Sequence, residues 1–286
     1  MISIVITAYN VAPWIEESIA SACRQTFKEL EIIVVEDCST DNTREILSQI
    51  KDWRVKVIYN STNMGAGASR RKGIEAAEGE YILLLDGDDW LEDDFIETLY
   101  NCAKKHAADI VSGGIRIANS DGSWEGKSYG NCIVEGREKL TRFWGERIVF
   151  MNNKLIRREL HDMVPYCKRR FIEDTPVIIP QLFFANKVVY TDNIGYNYRM
   201  RPGSLTHSAT RFKNALFRAL CAADLIRFFE KHDKELLTAI PLAEGYAGCI
   251  SEIKDCRPTE EMIEPYINEW IEFSTGLIAR LEQEEE

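Results

Sequence analysis

The predicted fold depends most on one stretch of the sequence, Tyr81-Ile-Leu-Leu-Leu-Asp-Gly-Asp-Asp-Trp90. Its unbroken apolar run has the length of a strand that is buried on both faces, as in the middle of a parallel sheet. The aspartates at positions 86, 88 and 89 follow at the point where that strand ends. Open α/β sheets bind ligands outside the carboxyl ends of their strands, so we expect the aspartates to line a ligand site.

The aspartates have two interpretations. Asp86, Asp88 and Asp89 repel one another at neutral pH, so a nearby cation would stabilise them. Ligands that are all oxygen favour Mg²⁺ or Mn²⁺, completed by substrate phosphates. The alternative is a helix N-terminus, where acidic residues are favourable, because Leu91–Lys105 has a helical pattern. Capping accounts for Asp88 or Asp89 but leaves Asp86 unexplained, which favours the metal site.

Length and composition are typical of a soluble α/β enzyme. The chain has 286 residues, of which 45% are hydrophobic and 28% charged, and this excludes a disordered or fibrous chain. The net charge of −11 argues against a nucleic-acid groove over the surface. The eight cysteines include no C-x-x-C pair. Without a secretory signal or a membrane-spanning apolar run, we expect reduced thiols in a cytoplasmic protein.

Strands and helical patterns alternate four times in the first part of the chain. The predicted strands are Ile2–Thr7, Glu31–Val35, Val55–Tyr59 and the strand before Asp86. This alternation predicts a mostly parallel central sheet flanked by helices. The expected division is a nucleotide-binding half over 1–108, an acceptor-binding and catalytic half over 109–210, and a helical C-terminal extension over 211–286.

The ends of these strands bring polar residues to one edge of the predicted sheet. The segments are Thr7–Asn10, Glu36-Asp37, the glycine loop Asn63–Arg71 and Asp86–Asp89. Such an edge suits a nucleoside diphosphate: Asp37 could accept from a base N–H, and Arg70 or Arg71 could stack on the base or contact phosphate. In isolation, Asp37 would be a turn residue that caps the next helix, and the two arginines a solvated helix face.

Two nucleotide-binding classes are disfavoured by missing motifs. No G-x-G-x-x-G follows the first strand, and no G-x-x-x-x-G-K-[ST] occurs in the chain. These absences argue against a dinucleotide-dependent oxidoreductase and a P-loop nucleotidase.

Four segments together resemble family 2 glycosyltransferases of the GT-A fold, the nucleotide-diphospho-sugar transferase fold. They are Ser3-Ile-Val-Ile-Thr-Ala-Tyr-Asn10, Val35-Glu-Asp-Cys-Ser-Thr-Asp41, Asn63-Met-Gly-Ala-Gly-Ala-Ser-Arg70 and Leu85-Asp-Gly-Asp-Asp-Trp90. The segments Asn153–Arg157, Glu173-Asp174 and Tyr196–Ser204 are similar to acceptor-side signatures of that family. The resemblance departs at Glu36, where the family usually has aspartate, and at Cys38, where glycine is common.

The resemblance implies inverting transfer of a sugar from a nucleotide-diphospho-sugar, most often a UDP-sugar, with Mn²⁺ or Mg²⁺ as cofactor. The implied acceptor is a hydroxyl of a cell-surface polysaccharide or glycolipid, free or lipid-linked. The implied donor-binding residues are Thr7, Ala8, Tyr9, Asn10, Asp37 and Asp86, with Asp86 on ribose or metal and Asp88 on the metal. Asp174 is the implied catalytic base, and Glu173 beside it would raise its pKa. Without the resemblance, these two acids would be assigned to a helix N-terminus.

The loop around Arg199, Arg201 and His207 leads to a separate hypothesis. We expect it to close over the donor, with an arginine on the diphosphate and His207 as an additional metal ligand, although a lone histidine is more often structural. The other histidines, at positions 106, 161 and 232, are expected on the surface.

Residues 142–170 contain eight basic and three acidic side chains. They fit either a solvated surface or peripheral contact with an anionic leaflet at the inner face of the membrane. The helical extension is compatible with acceptor binding, membrane contact or a homodimer, and its sequence does not choose among them.

Two alternatives to a glycosyltransferase fit these residues less well. A sugar-1-phosphate nucleotidylyltransferase would have a glycine-rich basic loop directly after the first strand, and Thr7–Pro13 lacks one. A non-catalytic nucleotide-sugar-binding module would lack a metal or base carboxylate, whereas Asp88 and Asp174 are both present.

Overall fold

The computed structural model describes residues 1–119, 121–140, 150–164, 174–201, 210–235 and 242–256. The chain divides into two compact units, Met1–Ser204 and Leu205–Glu286. The expected boundary at residue 108 falls inside the first unit and stays a prediction.

The first unit contains one large sheet. Its described strands are β1 (Ile2–Ala8), β2 (Leu30–Glu36), β3 (Val55–Tyr59), β4 (Tyr81–Asp86), β5 (Trp90–Leu91), β6 (Ile110–Ala118), β7 (Trp124–Lys127), β8 (Cys132–Glu135), β9 (Lys154–Arg157) and β10 (Lys187–Arg199). Their order across the sheet is β3-β2-β1-β4-β9-β6-β10-β5, with β7 beside β6 and β8 beside β10. The pairs β1/β2, β1/β4, β2/β3 and β6/β10 are parallel, and β9 runs antiparallel to β4 and β6.

Helices follow the strands in the predicted alternation. In the first unit they are α1 (Ile15–Cys23), α2 (Thr43–Ser48), α3 (Ala66–Glu75), α4 (Phe95–His106), α5 (Arg158–Asp162) and α6 (Thr175–Phe184). Helices and sheet together confirm the α/β fold with a central sheet flanked by helices; the sheet is parallel from β3 to β4 and mixed beyond β4.

The first and fourth strands form the centre of the sheet, as their apolar runs predicted. Every residue of the run Tyr81–Leu85 is at most 1% exposed, because helices or loops cover both faces. Thr7 pairs with Asp86 across β1 and β4, and Ala8 pairs with Glu36 across β1 and β2. This register brings the polar strand ends to one edge.

Two details differ from the expected elements. Trp90–Leu91 forms a short strand against Tyr196 and Asn197 of β10, so the helix begins at Phe95 and not at Leu91. Pairing with β10 buries Leu91, and this tertiary contact overrides the helical pattern of the segment. The two short strands expected over 187–190 and 195–199 are one strand, β10, with irregular register between Tyr190 and Tyr196.

The second unit is helical where it is described, as expected. It contains α7 (Arg211–His232) and α8 (Leu242–Asp255). Glu252 of α8 accepts hydrogen bonds from Arg211 and Arg218 of α7. Among the described helices, none combines the length and the apolar character that crossing a bilayer requires.

The turn after β2 contains a residue in the left-handed region. Cys38 has a φ angle of +60°, which a side chain with a Cβ atom adopts at a cost. The same angle explains why glycine is common at this position in the family that the sequence resembles.

We predict that Cys38→Gly raises the free energy of unfolding by ~1 kcal/mol, because glycine removes the left-handed penalty. Chemical denaturation of purified protein measures the effect. Cys38→Ala is the matched control: it also removes the thiol that contacts the Ser61 carbonyl, but it keeps a Cβ atom. Equal stability of the glycine and alanine variants would contradict the argument.

Candidate active site

The carboxylate of Asp86 lies where several elements meet. Its Oδ1 atom accepts hydrogen bonds from Thr7 Oγ1 at 3.2 Å and from Arg70 Nη2 at 2.9 Å. Its Oδ2 atom accepts one from Asn152 Nδ2 at 2.7 Å. The end of β1, helix α3 and the segment before β9 therefore all orient one side chain at the end of β4.

Asp89 ties the acidic turn to β10. It is 2% exposed, and it accepts hydrogen bonds from the Tyr196 hydroxyl at 2.6 Å and the Arg199 backbone N–H at 2.8 Å. Burial, with the charges of Asp88 and Asp86, raises the pKa of Asp89 well above its ordinary value. Asp89 is thus a structural residue that fixes the turn on which Asp86 and Asp88 stand.

One guanidinium joins the acidic turn to the predicted base. Arg70 Nη2 donates to Asp86, and Arg70 Nη1 donates to Asp174 Oδ1 at 2.8 Å. Arg70 is only 5% exposed, so the alternative of a solvated helix face is wrong for this residue, while its contact with a donor stays a prediction. A buried guanidinium needs charged partners, because removing an unpaired charge from water is costly. The bridge therefore ties the two carboxylates to the two terminal nitrogens of one planar group.

Glycines of α3 explain how an arginine reaches this position. Gly67 and Gly73 each lie three residues from Arg70, and all three are on the buried face of α3. A Cβ atom on Gly73 would lie 2.3 Å from Val5 Cγ1, so this close approach of helix and sheet requires glycine. The Gly-x-x-Arg-x-x-Gly spacing is the sequence signal for an inward-facing arginine.

Asp174 directly precedes α6, yet its side chain makes no capping hydrogen bond to that helix. It accepts instead from Arg70 and from the backbone N–H of Met151. Burial raises the pKa of Asp174, and the positive charge of Arg70 opposes this shift. About a quarter of the side chain is exposed (24%), so an incoming hydroxyl can reach it. Glu173, its expected helper, lies outside the described residues.

The chemistry of Asp86 and Asp88 fits a divalent cation. Both are oxygen donors from one turn; burial together with the charge of Asp86 raises the pKa of Asp88, and the charge of Arg201 opposes this shift. Among the residues that the structure describes, no three His, Cys, Asp or Glu side chains are grouped as a complete metal site. A cation here would take its remaining ligands from the diphosphate and water.

Asp37 organises the glycine loop. It is 4% exposed, and its two oxygens accept from the backbone N–H groups of Met64 and Gly65, each at 2.8 Å, and from Asn60 Nδ2 at 2.9 Å. These bonds hold the loop that leads into α3 and Arg70. Contact between Asp37 and a nucleotide base stays a prediction.

The turn after β1 lies beside Asp37, as the parallel sheet predicted. The Ala8 carbonyl accepts from the Asp37 backbone N–H at 2.8 Å. Tyr9 is 43% exposed, and Asn10, at φ +52°, accepts from the Thr40 backbone N–H at 2.8 Å. The structure thus brings the implied nucleotide-binding residues together, while their contacts with a nucleotide stay predictions.

Two of the predicted donor-site arginines reach the acidic turn. Arg199 Nε donates to the Asp88 carbonyl at 2.8 Å, and its guanidinium lies 4.4 Å from the ring centroid of Trp90. Arg201 Nε donates to Asp88 Oδ2, and its guanidinium lies 4.6 Å from the ring centroid of Trp14. Aromatic rings therefore hold both cations next to the predicted metal ligand.

The structure places Arg71 differently from the arginines that reach the acidic turn. Arg71 donates to Glu75 at 2.7 Å and to the His161 carbonyl at 3.2 Å, so it links α3 to α5. A contact of Arg71 with the donor stays a prediction. His207 lies outside the described residues, and so does its expected role as a metal ligand.

Two basic side chains close to Arg71 and Asp174, those of His161 and Lys154, are buried. His161, expected on the surface, is fully buried and pairs through Nδ1 with Gln181 of α6 at 3.0 Å, and burial lowers its pKa to about 3. Burial also lowers the pKa of Lys154 to about 7, against the opposing effect of Asp174. Lys154 Nζ donates to Asn153 Oδ1 at 2.8 Å.

Sequence reasoning did not single out Asn152 and Tyr196, which both contact the acidic turn. The Tyr196 hydroxyl accepts from Asn152 Nδ2 at 3.2 Å and from the Asp86 backbone N–H at 3.3 Å. Both lie within or beside segments that carry the acceptor-side resemblance. Their place in or next to these segments was the available signal.

Comparisons with known proteins identify the family of the chain. The sequence profile of Glycosyl transferase family 2 matches residues 3–168. The chain is 30% identical over 277 residues to glycosyltransferase GlyG of Streptococcus pneumoniae, covering 91% of this chain and 89% of GlyG. It is 34% identical over 221 residues to the uncharacterized glycosyltransferase EpsJ of Bacillus subtilis, covering 72% of this chain and 63% of EpsJ.

The fold has a counterpart among solved structures. S. aureus TarS 1-349, solved in complex with UDP-GlcNAc, superposes with a TM-score of 0.67 at 24% identity over 79% of this chain and 66% of that chain. The match confirms the GT-A-type fold, and the family profile decides against the nucleotidylyltransferase and non-catalytic alternatives. From its profile match, its relatives and its fold, the chain belongs to glycosyl transferase family 2 and is a glycosyltransferase.

Proposed function

We propose that this glycosyltransferase moves a sugar from a nucleotide-diphospho-sugar, in particular a UDP-sugar, to a saccharide hydroxyl, with inversion at the anomeric carbon and with a divalent cation. The acceptor is a free or lipid-linked saccharide used in cell-surface polysaccharide assembly. One observation carries the proposal: Arg70 donates through Nη2 to the donor-side carboxylate of Asp86 and through Nη1 to the carboxylate of Asp174. A donor and an acceptor hydroxyl that meet above this bridge each have a carboxylate within reach.

Asp174 is the general base in this proposal. It is accessible, no helix cap holds its side chain, and burial raises its pKa towards the working range. It takes the proton of the acceptor hydroxyl as the oxygen attacks the anomeric carbon on the face opposite the diphosphate. Because one displacement forms the new bond and breaks the old one, the configuration inverts.

Asp86 and Asp88 would hold a divalent ion, Mn²⁺ or Mg²⁺, which stabilises the negative charge that develops on the leaving diphosphate. Arg199 and Arg201 stand next to Asp88 and are placed to add positive charge on the same side. Asp37 shapes the loop beneath the nucleotide. TarS supports a UDP-sugar donor, because its structure contains UDP-GlcNAc on the same fold.

Calorimetric titration with UDP and GDP, each with and without Mn²⁺, tests the donor assignment. We expect UDP to bind in a Mn²⁺-dependent manner. We expect GDP to bind at least tenfold more weakly, because polar groups of the site that pair with uracil would be left unpaired by guanine. Stronger binding of GDP would overturn the UDP assignment. Turnover of a sugar donor with retention at the anomeric carbon, followed by NMR, would overturn the single displacement.

Asp88→Asn is predicted to remove most of the Mn²⁺-dependent gain in UDP affinity, because the amide keeps the shape of the carboxylate but not its charge. Asp94→Asn is the matched control: Asp94 is an exposed acid nearby that makes no capping hydrogen bond to α4. A Mn²⁺ response in Asp88→Asn equal to that of the Asp94 variant would remove Asp88 from the cation site.

Asp174→Asn is predicted to keep donor binding and to lower the transfer rate by at least ~100-fold, because an amide cannot accept the proton. Single-turnover transfer to the acceptor, with donor affinity measured in parallel, checks this. Transfer within about threefold of wild type would show that the base lies elsewhere.

Arg70→Met is predicted to move the acidic limb of the pH profile of kcat/KM to higher pH by about one unit. The guanidinium lowers the pKa of Asp174, so its loss raises that pKa and leaves the base protonated at pH values where the wild type is active. Arg70→Lys retains the charge and should keep most of the wild-type limb. An unchanged limb in a folded Arg70→Met variant would contradict the role of the bridge.

A further inference from the structure

Trp124 is an exposed aromatic residue on the hairpin formed by β6 and β7. Its side chain is 62% exposed, and all four residues of β7 are exposed. Burying an indole is a large source of stability, so a folded chain that leaves one in water forgoes that gain. No motif in the sequence indicates a site at this residue.

The indole is held in place from one side. The Arg116 guanidinium lies 4.8 Å from the centroid of the Trp124 ring. Arg116 Nη1 donates to Glu92 Oε1 at 2.7 Å and to Asn197 Oδ1 at 3.0 Å, and Asn197 is fully buried. A cation anchored in this way fixes the ring, and the exposed remainder of the ring stays available to a ligand. We call Trp124 and its supporting Arg116 the Trp124 platform.

The register of the sheet puts the Trp124 platform at the edge that carries the active site. Trp124 pairs with Ala118 of β6, and Ala118 pairs with Arg199 of β10. Two strand spacings of roughly 5 Å separate Trp124 from Arg199, whose backbone N–H donates to Asp89 in the acidic turn.

The platform also stands on the side of β6 that faces β4. Because β10 pairs along one side of β6, strands β7 and β9 must share its other side, with β9 in turn beside β4. The β6–β7 hairpin therefore lies next to the gap between β4 and β6, which β9 fills. Asn152, which precedes β9 in this gap, is bonded to Asp86.

The surroundings of the ring match a sugar better than a protein or a membrane. Glu125 and Lys127 of β7 are exposed and opposite in charge, so the surface is neither a contiguous apolar patch nor a basic cluster. The turn residues Asn119, Asp121 and Ser123 precede Trp124 closely in sequence; they are exposed, and although they hydrogen-bond to one another they add polar atoms to this surface. A pyranose presents a face of C–H groups for the ring and a rim of hydroxyls for such neighbours.

We propose that the Trp124 platform is an acceptor subsite, on which one sugar ring of the acceptor stacks while another presents its hydroxyl to Asp174. The proposal rests on the proposed function, since it requires a saccharide acceptor. Trp124 is then a specificity-determining residue for the acceptor, and it has no part in donor binding or in proton transfer.

The test starts with wild-type enzyme and UDP-sugar donors. Trisaccharides of glucose, galactose and N-acetylglucosamine, as free sugars and as octyl glycosides, are screened for transfer. For the accepted sugar, Trp124→Ala is expected to raise the acceptor KM about tenfold and Trp124→Phe less, with kcat and donor affinity unchanged. Trp53→Ala is the matched control, because Trp53 is 89% exposed and precedes β3 at the opposite edge of the sheet.

Labelling with 5-fluorotryptophan adds a direct readout of contact. Of the six tryptophan signals, that of Trp124, assigned with Trp124→Phe, is expected to move on titration with the accepted saccharide, and that of Trp53 is expected to stay. Wild-type transfer with an unchanged KM in Trp124→Ala would overturn the platform alone. Failure of the wild type to transfer to any saccharide would overturn the proposed acceptor class, and the platform with it.

Discussion

The bridge from Arg70 to Asp86 and Asp174 is the interaction on which the arrangement of the site depends. Two carboxylates that bind the same guanidinium are near enough to repel each other. The buried guanidinium of Arg70 offsets this repulsion and fixes the positions of both carboxylates. The bridge in turn requires α3 to lie unusually close to β1, which Gly73 permits. A helix backbone, a strand and two distant acidic residues are thereby linked through one planar side chain.

The fold could be predicted from the sequence because its central strands are unambiguous. The run before Asp86 is apolar throughout, as a strand covered on both faces must be, and the strand ends that it predicted to meet do meet. Prediction failed at Trp90–Leu91, where pairing with β10 outweighs a local helical pattern. It failed also for His161, since a polar residue without a motif gives no sign that Gln181 will satisfy it in the core.

The sequence predicts which residues come together in the site better than it predicts what each of these residues contacts. Asp86, Asp88 and Asp174 lie together as expected, but Arg70 and Asp37 are bonded to the protein itself. Sequence identifies charged residues near a ligand, whereas their partners depend on three-dimensional packing. Asn152 and Tyr196 went unnoticed for the same reason, because each acts through a hydrogen bond to a residue far away in the chain.

The β6–β7 hairpin has a consequence for how such an enzyme can change. None of the four residues of β7 is buried, so β7 adds little to the core, while the acidic turn is bonded into β4, β10 and α3. Substitutions in β7 can therefore accumulate without loss of the fold, and those around Asp89 cannot. Sequence changes in this fold therefore cost the least stability in β7. This strand is the segment to exchange when a new substrate preference is to be evolved or engineered while the catalytic residues stay unchanged.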